Sequence, residues 1–401
     1  MRKLLALPVA VALALTGSAA ASWSPARTFG ATHGGPGSVA VNGRGDVAVL
    51  WQSRKPARLR VTLLPARGRA GTRVVFMRPG GYGAIALDER GGATAAWTDG
   101  TRLYAAYGSL TGRWSVPKLI ARNVFEPVLA VSRQRRVLLA WTNLSKYGPG
   151  STGAAWRTPA HPFSKPLTMA RPAPTLMPGE APQSDLHATF DRSGRAYLWG
   201  TCDGVVRVAA PRSRSLGLVS VAPGRALGFS FAVAGDGHGL ASWVDSRCTQ
   251  DAAAGAEPGP LRVRAFIAGS FGPQQTFRTA SSSEAFAIAG DGSLVSGWSF
   301  ADRYLMTFDA QGALLSDASV APDRLPVAAD AGGDLLTSLG GGFAVQPSGG
   351  GAEQPLAQAG AASAAGNGRR FAVVWDPDVT TGPDHLARSP RVRLSVSVWR
   401  P

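Results

Sequence analysis

One unit recurs along this 401-residue chain and limits what it can fold into. It holds a short apolar strand, a turn usually built on Gly with Asp or Asn, a second apolar strand, and a Trp near that strand's end. Six copies carry all of it, at 38–51, 84–97, 128–141, 188–199, 230–243 and 285–298. Their tryptophans, Trp51, Trp97, Trp141, Trp199, Trp243 and Trp298, stand 46, 44, 58, 44 and 55 residues apart. A copy without Trp runs over 327–338, and a last one ends at Trp375. Alternating apolar residues on both sides of a Gly/Asp turn predict a tight antiparallel hairpin.

A polar loop follows each Trp, and then a third strand, as at 59–63, 103–107, 205–209, 261–267 and 303–308. A fourth segment has its own signature: an aromatic, a small or polar residue, Pro, then a hydrophobe. It reads Trp114-Ser-Val-Pro117, Phe163-Ser-Lys-Pro166 and Phe271-Gly-Pro273. Proline donates no backbone hydrogen bond, so this strand belongs at the outer edge. The 50 Gly and 29 Pro, spread along the chain, argue against long helices. Four-stranded antiparallel units at this spacing predict an all-β fold, a single β-propeller, with the Trp residues as apolar anchors in the blades. Eight copies predict eight blades, or seven if the copy at 327–338 merges with a neighbour. Residues 23–29 (Trp23-Ser-Pro25 onward) are a fourth strand with nothing before it, and 392–399 are a third strand with nothing after it. Pairing of 23–29 with 392–399 is therefore expected to close the ring, leaving only short outer edges.

The Trp/Phe-Ser-x-Pro strand, the Gly-turn hairpin and the Trp-ended second strand together resemble the secreted sialidase-like (BNR-type) propellers. The resemblance is to a repeat style over nearly the whole chain. The Gly-to-Trp interval is longer here, as from Gly91 to Trp97 and Gly194 to Trp199. The arginine trio and Tyr–Glu pair of the catalytic members find no match. The resemblance thus implies a fold and carries no catalytic residue across.

Arg2 and Lys3 precede an apolar run, Leu4 to Leu15, and small residues up to Ala21. That order is a secretory signal, 1–21, with cleavage between Ala21 and Ser22, and 22–401 as the propeller domain. A secreted, extracellular or envelope-associated protein is expected, with no transmembrane segment. The net charge of +17 favours an anionic partner, although Arg-rich, Lys-poor usage also follows from GC-rich codons. Export and the dispersed arginines argue against nucleic acid. The two cysteines, Cys202 and Cys248, occupy the same loop of consecutive units and are expected to form one disulfide between them.

Candidate chemistry is sparse. His33, His161, His187, His238 and His385 are isolated, and no metal-site spacing occurs. Asp99, Asn143, Asp203, Asp245, Asp302 and Asp376 each follow the Trp position by a few residues, which in a propeller sets them on one face. Such a circle of carboxylates and amides suits Ca²⁺ or sugar hydroxyls, while Asp and Asn in loops more commonly close their own turns. No cofactor is expected, and Ca²⁺ is the one ion this circle would suit. The sequence reads as a monomeric, non-catalytic binding or scaffold propeller for an extracellular protein or polysaccharide. The alternative is a sialidase-like glycosidase or lyase on the same fold.

Overall fold

A computed structural model of the chain describes residues 22–32, 37–53, 58–67, 71–76, 81, 83–109, 112–145, 148–159, 161–170, 186–201, 204–222, 226–233, 236–245, 259–280, 282–289, 292–298, 303–309, 313–320, 325–329, 334–339, 342–346, 352–356, 362–367, 370–375 and 392–400. Every regular element among them is a strand.

Two strands come first, β1 (Ser22–Trp23) and β2 (Arg27–Thr32). The first unit follows as β3 (Ser38–Val41), β4 (Val47–Ser53), β5 (Arg58–Leu64) and β6 (Gly71–Phe76). The second is β7 (Gly83–Leu87), β8 (Gly92–Asp99), β9 (Arg102–Ser109) and β10 (Lys118–Arg122). The third is β11 (Val124–Val131), β12 (Val137–Ser145), β13 (Gly148–Arg157) and β14 (Leu167–Ala170). The fourth is β15 (Leu186–Phe190), β16 (Ala196–Gly200), β17 (Val205–Ala209) and β18 (Gly217–Ser220). The fifth is β19 (Leu227–Val233), β20 (Gly239–Val244), β21 (Gly259–Ile267) and β22 (Ser270–Ala280). The sixth is β23 (Ser282–Ala289), β24 (Gly292–Trp298), β25 (Arg303–Asp309) and β26 (Leu314–Val320). The seventh is β27 (Leu325–Ala329), β28 (Leu335–Leu339), β29 (Gly342–Gln346) and β30 (Gln354–Leu356), and the chain ends with β31 (Ala362–Asn367), β32 (Arg370–Trp375) and β33 (Val392–Arg400).

These strands form an all-β propeller, and the blade count of eight, or seven, is corrected. Six blades of four strands stand as separate sheets, β7–β10, β11–β14, β15–β18, β19–β22, β23–β26 and β27–β30. The remaining nine strands make one sheet, because β2 leaves β33 and pairs with β4 at Thr32↔Ser53. A single residue pair thus fuses the first and last stretches of the chain. In that sheet β33 takes both opening strands, with Trp23 opposite Trp399 and Arg27, Thr28 and Phe29 opposite Val396, Ser395 and Leu394. The first strands of the units face the axis, where β3 packs against both β7 and β31.

The second strands explain the core. A blade lies between two neighbours, so its middle strands are buried on both faces and read as continuous apolar runs. Along β4 the residues divide by parity. Val47, Val49 and Trp51 pack with Phe29, Ala372 and Val398 on the closing side, whereas Ala48 and Leu50 pack with Ile85, Leu87 and Trp97 of the next blade. Trp97, Trp141 and Trp243 are fully enclosed, and Trp51 and Trp199 nearly so. The Trp298 and Trp375 side chains lie outside the described residues. Gly153 stands opposite Trp141, and a Cβ there would meet the indole Nε1 at 2.1 Å. The glycine is the space that the ring occupies.

Candidate functional site

In a four-stranded meander the turns joining strands one to two and three to four emerge on one face, and the remaining connections on the other. The first of these, called here the hairpin face, carries the densest polar structure among the described residues.

Its turns start from a buried polar residue at the end of the first strand: Asn42, Asp88, Ser132 and Asp191. Each accepts backbone N–H bonds from the turn it opens. Asn42 Oδ1 accepts from Arg44 (3.1 Å) and Asp46 (2.9 Å), and Asp88 Oδ1 from Arg90 (2.9 Å) and Gly92 (2.7 Å). Ser132 Oγ accepts from Arg136 (3.0 Å), and Asp191 Oδ1 from Arg195 (2.9 Å). Three residues along, the backbone is left-handed, at Gly45, Gly91, Arg135 and Gly194. Glycine takes that conformation without strain, and Arg135 holds it at φ 65°. The second carboxylate oxygen of Asp191 accepts from the Tyr197 hydroxyl at 3.0 Å. Burial and the adjacent Asp191 push the Tyr197 phenol well above its ordinary pKa.

The turns are also laced from unit to unit. Arg370 Nε of β32 donates to Gly43 O at 3.0 Å, and Asn42 Nδ2 donates to Asp88 O at 3.0 Å. Gly43 N–H donates to Glu89 Oε2 at 3.1 Å. Arg135 Nε donates to Asp88 Oδ2 at 2.8 Å, and Gln134 Nε2 to Arg192 O at 3.3 Å. The last stretch is thereby tied to the first unit, and the first through to the fourth. The acids Asp46, Asp88, Glu89 and Asp191 are engaged within or between these turns, and each tip exposes an arginine: Arg44, Arg90, Arg133 and Arg192.

Beneath the second and third units the arginines become structural. Arg136 lies over the Trp156 ring, 3.8 Å from its centroid, and Arg157 over the Tyr107 ring at 3.7 Å. Burial lowers the pKa of both guanidinium groups, with the charge of Arg214 adding to it for Arg136.

Of the circle of carboxylates and amides singled out in the sequence, Asp99, Asn143 and Asp245 are described, and they lie toward the opposite face. Asp99 ends β8, half-buried and opposite Arg102. Asn143 is engaged within its own blade: its Oδ1 accepts from Trp141 Nε1 and its Nδ2 donates to Ser151 Oγ, both at 2.8 Å. Asp245 is exposed and ion-paired with Arg262 at 3.1 Å. Asp203, Asp302, Asp376, Cys202, Cys248 and Ala21 lie outside the described residues, whereas Ser22 is opposite Arg400. Among the described residues no group of three His, Cys, Asp or Glu is placed to hold a metal ion. No described helix is long and apolar enough to cross a membrane. The hairpin face escaped the sequence reading, although its signal was present in the recurrence of Asn42, Asp88, Ser132 and Asp191 three residues before the left-handed position.

No family model and no curated protein matches the sequence. Solved structures do match the fold. The Dos1 propeller aligns with a TM-score of 0.58 at 12% identity, over 94% of this chain and 95% of that one. The polysaccharide lyase Uly1 aligns with a TM-score of 0.53 at 8% identity, over 91% and 89%. One of two prolyl endopeptidases aligns with a TM-score of 0.52 at 11% identity, and this chain spans 55% of its length. At these identities the likeness is one of fold. It establishes a β-propeller, and it does not single out the sialidase-like repeat.

Proposed function

We infer that the chain is an exported, non-catalytic β-propeller that binds an extracellular or cell-envelope partner, protein or polysaccharide, through its hairpin face. The observation that supports this is the lacing of the turns. Bonds from Arg370 to Gly43, Asn42 to Asp88 and Arg135 to Asp88 hold successive tips against one another. A recognition surface held in place before its partner arrives gives up little conformational entropy on binding. The carboxylates of the same turns are committed to backbone amides and guanidinium groups, which suits a frame better than proton transfer. Binding that needs no metal follows from the same reading.

Hydrogen exchange with and without an extracellular extract tests it, combined with N-terminal sequencing of the exported protein. Protection of the turns at 42–46, 88–92, 132–136 and 191–195, and a mature end at Ser22, are expected. Protection confined to the opposite face, or turnover of a glycan by the purified protein, would overturn it.

A further inference from the structure

Three turns meet on the hairpin face where the third blade adjoins the fourth. Gln134 Nε2 donates to Arg192 O at 3.3 Å, Arg136 Nη1 to Ala210 O at 3.4 Å, and Trp156 Nε1 to Arg214 O at 3.0 Å. These bonds fix the backbone under four exposed arginines: Arg133, Arg192, Arg212 and Arg214. The segments 132–136, 191–195 and 210–216 contain one acid, Asp191, and it is 4% exposed with both oxygens already occupied. Four cations therefore project from a stiff platform on which no carboxylate of the same turns reaches the surface.

The layer below deepens the charge. Arg136 is 9% exposed, stacked on Trp156, and its Nη2 has no hydrogen-bond partner among the described residues. The like charge of Arg214 adds to burial in lowering its pKa, so the guanidinium groups oppose one another across this junction. A GC-rich codon bias accounts for many arginines, but it does not turn the one acid of the cluster inward. Concentrating like charges on an ordered surface costs free energy that an anion spanning them would relieve.

We propose that this junction binds the carboxylates of a linear acidic polysaccharide, with Arg133, Arg192, Arg212 and Arg214 gripping successive uronate groups. This rests on the reading above that the hairpin face is the recognition surface. Guanidinium forks match planar carboxylates in two-point contacts. Several such contacts along one polymer sum to useful affinity although each is weak and exposed.

The test uses the full chain and polygalacturonate, with neutral dextran and polyphosphate of similar length as comparisons. The variant carries Arg133→Gln, Arg192→Gln, Arg212→Gln and Arg214→Gln. A control carries Arg102→Gln and Arg122→Gln, exposed positions at the other end of the second blade. Both are first checked for an unchanged melting temperature; should the fourfold variant fold poorly, Arg133→Gln and Arg192→Gln alone serve. Expected is salt-sensitive binding of polygalacturonate, weakened roughly 3-fold per arginine and roughly 80-fold in the fourfold variant, with the control unaffected. Absence of polygalacturonate binding, equal losses in variant and control, or equal binding of polyphosphate would overturn the proposal. If exchange protection by an extract still falls on the hairpin turns, only this assignment fails; if it falls on the opposite face, the proposed function fails with it.

Discussion

Replacing Asp88 with Ala probes the lacing of the hairpin face at its most connected point. One oxygen of Asp88 accepts the Arg90 and Gly92 amides at 2.9 and 2.7 Å, and the other accepts Arg135 Nε at 2.8 Å. The residue is 7% exposed, so water replaces these bonds poorly. Two amide bonds to a carboxylate contribute about 1.5 kcal/mol each at the low end of their range. The ion pair adds about 0.5 kcal/mol, since the Arg135 side chain is 34% exposed and partly screened. The loss comes to about 3.5 kcal/mol. Unfolding entropy of about 2.1 cal/mol/K per residue gives the chain about 0.8 kcal/mol per degree, so the melting temperature should fall by about 4 °C. Asp88→Asn keeps an acceptor for the turn, as Asn42 does in the first unit, and should fall by about 1 °C. Calorimetric melts of both variants decide it. Equal falls, or an Asp88→Ala protein that melts within 1 °C of the parent, would refute the reasoning.

Three further outcomes are expected. Gly153→Ala should destabilise by about 3 kcal/mol in denaturant titration, because the added methyl collides with the enclosed Trp141 indole, whereas Gly71→Ala, with nothing among the described residues within 4 Å, should be near neutral. Tyr197, its pKa raised in the fold, should remain protonated in an ultraviolet titration at the pH where a free tyrosine ionises, about 10. The raised value contributes stability that is complete below the unfolded pKa and lost as pH rises beyond it, so Tyr197→Phe should flatten the alkaline loss of stability. Trp23→Ala removes the bond from the indole Nε1 to Gln354 O and the packing against the Leu336–Phe343 cluster. It should cost about 2–3 kcal/mol, measured by chemical unfolding, and raise exchange in 392–400 more than in 186–220.

The repeat was readable because its signals are local. Strand alternation, a Gly/Asp turn and an edge proline act within a dozen residues, and a both-face apolar strand such as Ala196–Gly200 declares that it is covered twice. The number of separate blades was not readable, because it depends on one contact: Thr32 bonding Ser53 turns the first and last units into a single nine-stranded sheet. No periodicity in the sequence records such a pair. The candidate site fared similarly. Asn143 stands out by position after Trp141, yet only the fold shows its side chain occupied between that indole and Ser151. Asp88 looks like an ordinary turn residue, and its partner Arg135 lies 47 positions away in the next blade. The exposed arginines matter only once the acids beside them are seen to face inward, which is a property of packing.

Ser24 Oγ accepts the amide of Val398 across a sequence distance of 374 residues. β1 and β2 are therefore neighbours of β33 in space although far from it in sequence. Until β33 joins them, β1 and β2 lack their partner, and the ring stays an open arc. Closure over that distance falls in the late, cooperative part of folding, because contacts so far apart in sequence carry the largest loop-closure cost.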